Sequence, residues 1–300
     1  MINIGETLVF SEDHPARAFM VSDGCPEIIK TIRLLSGTVK ISVSRDDTED
    51  TEVFTNVNYI RSDQRINNDT STALISYIFD ETPEQEELLS IFRRVRGRNH
   101  SFFKSICDEL SLCILATIND RHTEAFLLLY RALERMSAAC PLIYSSRQND
   151  FKSAHNFLSG IFKDEKAPGE LGLLQAFLDD YAKTNLVFKE ATLDIPIPNW
   201  GGDFAIELSR QWRDVIERSA AYAKLDMETG NISCPYPKVS SLIVTVRNRS
   251  FHNLSSQKNL DLFRLMGPEA LFSVLMPHFL QWASYVFLDF ARWQISSVRI

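Results

Sequence analysis

Apolar residues recur in two different patterns along the chain, and the pattern changes near residue 81. Before that point, short runs rich in Val, Ile, Phe, Tyr and Thr lie between turn signals, which is typical of β-strands. After it, apolar residues repeat every three or four positions over long stretches, which is typical of amphipathic helices. The sequence therefore predicts an α+β protein, with a small β-rich domain over residues 1–81 and a larger helical bundle over residues 82–300.

One short segment of the first domain departs from the strand pattern. Residues 25–35 contain Pro26, which favours a helix entrance, followed by isoleucines and leucines at helical spacing, so we expect a short helix there. The runs that we interpret as strands are INIGETLVF, ARAFMV, TVKISVS, EVFTNVNYI and TALISYIF. The acidic run at residues 46–50 is typical of a solvated loop; the alternative, a carboxylate metal site, lacks the glycine of a calcium loop.

The second domain has the pattern of successive helices. They are predicted over residues 84–115, 120–144, 153–162, 173–188, 204–225, 237–256 and 269–293. Pro141 is expected to end or kink the second of them. Residues 190–204, with two prolines and two glycines, are expected to be irregular and form a candidate substrate lid. Residues 226–238 are expected to be a connecting loop.

The last predicted helix is rich in Leu, Phe, Trp and Tyr. Pro277, His278, Gln281 and Asp289 interrupt it with groups that a membrane span disfavours, so we expect a buried helix that is a candidate dimer interface. The first residues lack a basic start followed by an apolar run. We therefore expect a cytoplasmic protein without membrane association.

Charge is distributed unevenly between the two parts of the chain. Residues 1–90 contain 7 Lys and Arg against 17 Asp and Glu, a net charge of −10, whereas the other 210 residues have 25 against 22, a net charge of +3. A protein that binds nucleic acid over its whole surface usually carries a strong basic excess. The distribution therefore argues against constitutive non-specific binding, and it allows a local basic cleft.

Familiar catalytic and cofactor motifs are missing from the sequence. It contains no glycine-rich phosphate loop, no H-E-x-x-H and no G-x-S-x-G, and its six histidines are scattered. The five cysteines are widely spaced without a C-x-x-C pair, which indicates reduced thiols. We expect neither a metal nor a cofactor.

The polar residues of one segment, residues 237–256, are suited to chemistry. Arg247, Asn248 and His252 lie on one predicted helix, where the amide of Asn248 is four residues from the imidazole and can orient it. Histidine titrates near neutrality and can act as a base or an acid, while arginine forms hydrogen bonds to a phosphate and stays protonated. Arg247 and His252 are five residues apart, about 140° around a straight helix. Either the helix is distorted or a second copy of the chain completes the site.

The arrangement Arg-Asn-x-x-x-His resembles the motif of HEPN domains, which are small helical bundles, and TEAFLLLYRALERM resembles the opening helix of that family. The resemblance implies a HEPN-like bundle over residues 82–300 that acts as a metal-independent endoribonuclease in a homodimer, with Arg247, Asn248 and His252 as catalytic residues. It also implies a role in toxin–antitoxin or antiviral defence systems.

Two further groups of residues are candidates for supporting roles. Glu124, on the helix that resembles the family's opening helix, is a candidate for orienting a catalytic group; the alternative is a surface ion pair. Residues 93–104 combine basic side chains with two phenylalanines, as RNA-backbone contact and base stacking require. We regard Arg93, Arg94, Arg98 and Lys104 as candidate RNA-binding residues. The alternative is a solvated helix end whose aromatics face the core.

Two hypotheses compete with a ribonuclease. The first is a module that binds a nucleotide, RNA or protein without turnover, and the second is an adaptor in which the motif residues are ordinary helix residues. The acidic domain over residues 1–81 contains no catalytic constellation and repels a polyanion within a Debye length of about 8 Å. We expect it to regulate the helical domain or to receive a protein partner, the alternative being that it only covers apolar helix surface.

Overall fold

The computed structural model describes residues 6–12, 25–45, 51–54, 57–60, 77–79, 85–146, 148, 150–162, 171–196, 203, 206–207, 210–211, 223–226, 231–251, 259–262 and 267–298. Within these residues the chain is mostly helical, and it has two small antiparallel sheets. The α+β class predicted from the sequence is therefore confirmed. Several predicted features lie outside the described residues: the strand at 16–21, the acidic run at 46–50 and His252.

The helices and strands have the following bounds. The helices are α1 (Glu27–Leu35), α2 (Gln85–Gly97), α3 (His100–Ile118), α4 (His122–Ser145), α5 (Phe151–Phe162), α6 (Gly172–Thr184), α7 (Leu186–Glu190), α8 (Val239–Phe251) and α9 (Pro268–Ser296). The strands are β1 (Glu6–Glu12), β2 (Val39–Arg45), β3 (Thr51–Phe54), β4 (Thr192–Pro196), β5 (Lys224–Asp226) and β6 (Asn231–Pro235). A 3₁₀ turn, Tyr236–Lys238, precedes α8.

The chain forms two compact units that do not divide at residue 81. One unit contains residues 1–119 and 283–300, and the other contains residues 120–282. Helices α2 and α3, which follow the change of sequence pattern, belong to the unit of the first strands. The change in hydrophobic pattern therefore marks a change of secondary structure, while the boundary of the compact unit lies after α3.

The first unit contains an antiparallel sheet of order β1-β2-β3, in which Glu6 is paired with Arg45 and Ile41 with Phe54. The predicted helix at residues 25–35 is confirmed as α1, which begins directly after Pro26. Helix α1 packs against α3 and is buried almost completely.

One predicted strand of the first unit is wrong in its described part. In TALISYIF, Tyr77 and Ile78 are helical. The hydroxyl of Tyr77 donates to Asp289 of α9, and the guanidinium of Arg292 lies 5.3 Å from the Tyr77 ring. Because these long-range contacts hold the segment, its β-rich composition does not decide its conformation.

The second unit contains α4–α8 and an antiparallel sheet of order β4-β6-β5. This sheet contradicts three predictions: part of the expected irregular stretch 190–204 is strand β4, part of the expected loop 226–238 is β6, and the predicted helix 204–225 gives way to β5 at its end. In β4 only Leu193 and Ile195 are buried, because alternate side chains of a strand point to one face. Two alternating apolar residues beside Pro196 are too short a signal to predict a strand.

Two helices of the second unit differ from the predicted bounds. Pro141 does not end α4, which continues to Ser145. The predicted helix at 173–188 is divided into α6 and α7 by Asn185, whose side chain accepts a hydrogen bond of 3.0 Å from the Phe188 amide. An asparagine at a helix start satisfies an amide that would otherwise have no partner.

Helix α9 contributes its first half to the second unit and its last residues to the first unit. Among the described helices it alone is long and apolar enough to span a membrane, but 67% of its most apolar window is buried inside the protein. The indole of Trp282, which is fully buried, donates a hydrogen bond of 3.0 Å to the Tyr236 carbonyl. This extent of burial is that of a core helix. The five cysteines are also buried, as free thiols.

Candidate functional site

Helix α8 carries the motif and has one buried face. Its apolar stripe is between 0% and 1% exposed, as the sequence pattern predicts, and consists of Val239, Leu242, Ile243 and Val246. Ser241, Thr245 and Asn248, spaced like successive turns of a helix, line a pocket on another face. Arg249, a charged residue of the same helix, is only 5% exposed.

The pocket is formed by residues of α4, α6 and α8. It encloses about 610 Å³, within the range of small-molecule and cofactor sites. Its lining residues are Tyr130, Leu171, Gly172, Gln175, Ser240, Ser241, Val244, Thr245, Arg247 and Asn248. Arg247 carries the one formal charge among these ten described residues, so the pocket favours an anion.

Arg247 is held by two neighbours in the pocket wall. Its guanidinium carbon lies 4.8 Å from the centre of the Tyr130 ring, which is a cation–π contact. Its Nη1 donates a hydrogen bond of 3.3 Å to Oδ1 of Asn248. Because the ring and the amide both restrict the guanidinium, the charge has a defined position at the pocket.

Gln175 of α6 joins its helix to the start of α8. Its Nε2 donates a hydrogen bond of 2.7 Å to the carbonyl of Pro237. Its Oε1 accepts hydrogen bonds of 2.6 Å from the hydroxyls of Ser240 and Ser241. This side chain therefore fixes the direction of two hydroxyl protons beside the pocket.

An ion pair reinforces the same junction between the two helices. Nζ of Lys238 lies 2.6 Å and 2.8 Å from the two carboxylate oxygens of Asp179. Both side chains are more than a third exposed, so solvent weakens the pair. Its main effect is geometric, since it fixes the residue directly before α8 to α6.

His252 follows Phe251 in the sequence and lies outside the described residues. Phe251 is 40% exposed, and its ring stacks on that of Phe272 with centroids 5.7 Å apart. The centre of the Phe126 ring lies 6.1 Å from the centre of the Phe251 ring. The end of α8 is therefore anchored by aromatic contacts, while the angle between Arg247 and His252 stays a prediction.

Glu124 is placed at the first turn of α4. Its Oε2 lies 3.0 Å from Nη1 of Arg121. The side chain of Arg121 is 40% exposed and that of Glu124 is 39% exposed. Glu124 does not belong to the pocket lining. The contact fits the alternative of a surface ion pair better than the role of orienting a catalytic group.

The basic segment at residues 93–104 spans the end of α2 and the start of α3. Arg94 donates a hydrogen bond of 2.8 Å to the carbonyl of Val298, and Lys104 is paired with Asp108 at 2.7 Å. Arg93 and Arg98 are exposed. Two of the four candidate RNA-binding side chains therefore contact the protein itself.

The two phenylalanines of this segment face the protein interior. Phe103 is 2% exposed, and the rings of Phe102 and Phe103 lie 5.9 Å and 5.7 Å from the ring of Phe290. Their position fits the alternative in which the aromatics belong to the core. The segment presents charge to solvent but no stacking platform built from these rings.

Sequence reasoning missed Tyr130 and Gln175, the two pocket residues that hold other side chains of the lining in place. Tyr130 belongs to the apolar stripe of α4 by its spacing, and Gln175 is one polar residue in an ordinary helix. Neither has a local sequence signal, because their role depends on the packing of α4 and α6 against α8. Among the described residues no group of three or more His, Cys, Asp or Glu is placed to hold a metal ion.

Comparisons of the chain with models of known protein families, with curated proteins and with solved structures found no match. The similarity to HEPN domains therefore rests on the motif and on the helix TEAFLLLYRALERM.

Proposed function

We propose that this protein is a metal-independent endoribonuclease of HEPN type, which cleaves RNA through attack by the ribose 2′-hydroxyl. The observation that supports the proposal is that Arg247 and Asn248 line one pocket, where Tyr130 and the Asn248 amide hold the guanidinium. Arg247 is also the charged residue of that pocket lining. A pocket whose described lining carries one fixed cation suits a phosphate of RNA.

The chemistry needs a base, an acid and a cation, and it needs no metal. A base removes the proton of the 2′-hydroxyl, an acid protonates the leaving 5′-oxygen, and a cation stabilises the charge that gathers on the phosphoryl oxygens. We assign both proton transfers to His252, whose neutral imidazole takes the proton of the 2′-hydroxyl and then gives that proton to the leaving 5′-oxygen, and we assign the cation to Arg247. Asn248 holds the guanidinium and contacts either the phosphate or the imidazole.

We further propose that the active form is a homodimer. Arg247 and His252 are five residues apart, and one straight helix points such residues about 140° apart. A cleft shared by two protomers combines Arg247 of one chain with His252 of the other. We place the protein in the cytoplasm, and a defence or toxin–antitoxin role follows from the resemblance alone.

A second candidate function is a module that binds a nucleotide or RNA without turnover. The pocket favours it directly, because its cation and hydroxyls belong to described residues and require no contribution from His252. Chemical turnover separates the two functions.

The deciding experiment measures cleavage of a labelled RNA by the purified full chain in the presence of excess EDTA. We expect cleavage, and we expect His252→Ala to reduce kcat on the order of 10²- to 10⁴-fold. His155→Ala removes an exposed imidazole and serves as the matched control. Full activity of His252→Ala contradicts the assigned chemistry, and binding of RNA without cleavage supports the second candidate.

The homodimer has its own test. Arg247→Ala and His252→Ala chains are mixed, and the heterodimers are isolated by means of two different tags. Part of the activity should return, because one of the two composite sites then contains both intact residues. Verified heterodimers without any recovered activity would show that each site is built from one chain.

A further inference from the structure

We propose that the pocket is a ribose-selective subsite, in which Ser241 accepts a hydrogen bond from a ribose hydroxyl and Gln175 is the positioning residue that enforces this selectivity. The nucleotide held there is the one on the 3′ side of the cleaved bond, with its 5′-phosphate at Arg247. The inference rests on the proposed function for the identity of that phosphate. The selectivity itself follows from the hydrogen bonds around Gln175.

The direction of these hydrogen bonds is determined by Pro237. Its carbonyl can only accept, so the Gln175 atom that lies 2.7 Å away is the amide nitrogen. The amide oxygen of Gln175 therefore faces the hydroxyls of Ser240 and Ser241, each at 2.6 Å. An oxygen of this kind has no proton, so both hydroxyls donate to it.

The consequence concerns what Ser241 can offer to a ligand. Ser240 is only 1% exposed, whereas Ser241 is partly exposed at the pocket. Because the proton of Ser241 points at Gln175, its oxygen presents lone pairs to the pocket. A ligand group at this place must donate a hydrogen bond, so a ribose hydroxyl fits and a phosphate oxygen is repelled.

The charge of the lining places the phosphate at the other end of the pocket. Arg247 is six residues further along α8 than Ser241, which is a rise of about 9 Å along a helix. No carboxylate belongs to the ten described residues of the lining, so a ligand ammonium has no counter-ion there. An anionic end at Arg247 and a hydroxyl end at Ser241 describe a nucleoside monophosphate. Leu171 and Val244 supply apolar wall for its remaining part.

The proposed chemistry decides which nucleotide occupies the subsite. The 2′-hydroxyl on the 5′ side of the cleaved bond must lose its proton to His252, so it is not the group that rests on Ser241. The ribose at Ser241 therefore belongs to the nucleotide on the 3′ side. A ribonucleoside 5′-monophosphate reproduces this half of the substrate.

Titration calorimetry on the full chain tests the subsite without cleavage. The probes are adenosine 5′-monophosphate, its 2′,3′-dideoxy analogue, inorganic phosphate and pyrophosphate. We expect the ribonucleotide to bind about five- to tenfold more tightly than the dideoxy analogue, the value of about one hydrogen bond. Inorganic phosphate and pyrophosphate should both bind more weakly, since neither can donate to Ser241.

Two substitutions distinguish the positioning role from a general structural one. Gln175→Met keeps the size of the side chain but frees the Ser241 proton, which can then be donated to a ligand acceptor. We therefore expect the discrimination against pyrophosphate to weaken, while the ribonucleotide still binds. Ser241→Ala removes the accepting oxygen, so the ribose preference should disappear, while Pro237 and Ser240 keep their hydrogen bonds to Gln175. Gln148→Met, at a partly exposed position of the second unit, is the matched control.

Each result has a defined meaning. Equal affinity for the ribonucleotide and the dideoxy analogue, or equal affinity for inorganic phosphate, overturns the subsite. So does a ribose preference that survives Ser241→Ala, or a discrimination against pyrophosphate that survives Gln175→Met. The cleavage assay in EDTA, with and without His252→Ala, tests the ribonuclease independently of these binding measurements. A ribose-selective pocket without cleavage refutes the ribonuclease and retains the subsite, whereas cleavage without ribose selectivity does the reverse.

Discussion

The contact between Arg247 and Tyr130 leads to a quantitative prediction about catalysis. Replacing Tyr130 by leucine removes the aromatic ring 4.8 Å from the guanidinium carbon while keeping an apolar side chain. A cation–π contact is worth about 0.5–1 kcal/mol at an exposed site and about 2 kcal/mol when desolvated. Because Arg247 is half-buried in the pocket, we expect about 1–2 kcal/mol. That energy corresponds to about a 5- to 30-fold loss of kcat/KM.

The assay is RNA cleavage in EDTA under conditions where chemistry limits the rate. Tyr130→Phe retains the ring and loses only the hydroxyl, so it is the matched control and should lose much less activity. Tyr130 is 4% exposed, and its replacement also affects packing. Thermal unfolding of each variant shows whether the loss of activity exceeds the loss of folded protein.

A double-mutant cycle isolates the contact itself. In a background of Arg247→Lys, the ammonium lacks the flat guanidinium that stacks on a ring, so Tyr130→Leu should have a smaller further effect. Additive losses in the cycle would show that the ring acts through packing alone. Equal losses for Tyr130→Leu and Tyr130→Phe would refute the assignment of the ring to the cation.

Three further predictions concern the basic segment, the domain boundary and the pH dependence of stability. Replacing the exposed Arg93 and Arg98 with Gln should reduce the slope of log affinity for RNA against log salt concentration by about one unit for each phosphate contact that is lost. Arg94→Gln loses a hydrogen bond within the protein, so it should lower the free energy of unfolding by about 1 kcal/mol and leave that slope unchanged. A chain of residues 82–300 should be insoluble or unfolded by circular dichroism, because it cuts through a compact unit; a cooperative unfolding transition of this fragment would contradict that expectation. Burial lowers the pKa of His278 below the value of about 6.5 that a histidine has in the unfolded chain. As the pH falls through about 6.5, the unfolded chain binds a proton before the folded chain does, so the free energy of unfolding falls. His278→Gln should reduce the fall in the free energy of unfolding between about pH 7.5 and about pH 5.5, measured by urea unfolding at both pH values. The same fall in the variant and in the original protein would refute this role of His278.

The sequence predicts helices where the apolar period is long and the ends carry helix signals. Helix α1 begins directly after Pro26, and α8 buries the stripe of Val239, Leu242, Ile243 and Val246 that its period indicates. In both cases the local pattern and the packing agree, because one amphipathic face meets one core.

Prediction from sequence was wrong where tertiary pairing decides the structure. Strands β4 and β6 pair across about forty residues, and neither is recognisable alone, because two buried residues beside a proline do not distinguish a strand from a loop. The same reasoning applies to Tyr77, whose helical conformation accompanies contacts to α9. Long-range partners of this kind leave no periodic signal in the segment itself.

The candidate site was predicted only in part, for a related reason. The motif identified Arg247 and Asn248, since their chemistry is visible in their residue types. It did not identify Gln175 or Tyr130, whose effect is to fix the direction of a proton and the position of a charge. Such supporting residues are ordinary by composition, and only the packing of three helices reveals them.

The structure also limits how the acidic amino-terminal part of the chain can regulate the protein. Five isoleucine and leucine side chains of α1 are no more than 1% exposed, and α1 packs on α3. Burial of one such side chain is worth about 1.5–3 kcal/mol, so their combined contribution reaches the total stability of a typical domain, about 5–15 kcal/mol. A partner could not detach α1 from α3 without unfolding the unit that contains both. We therefore expect any regulatory partner of residues 1–81 to bind the folded sheet β1-β2-β3, in which the edge strands β1 and β3 each pair with one strand among the described residues.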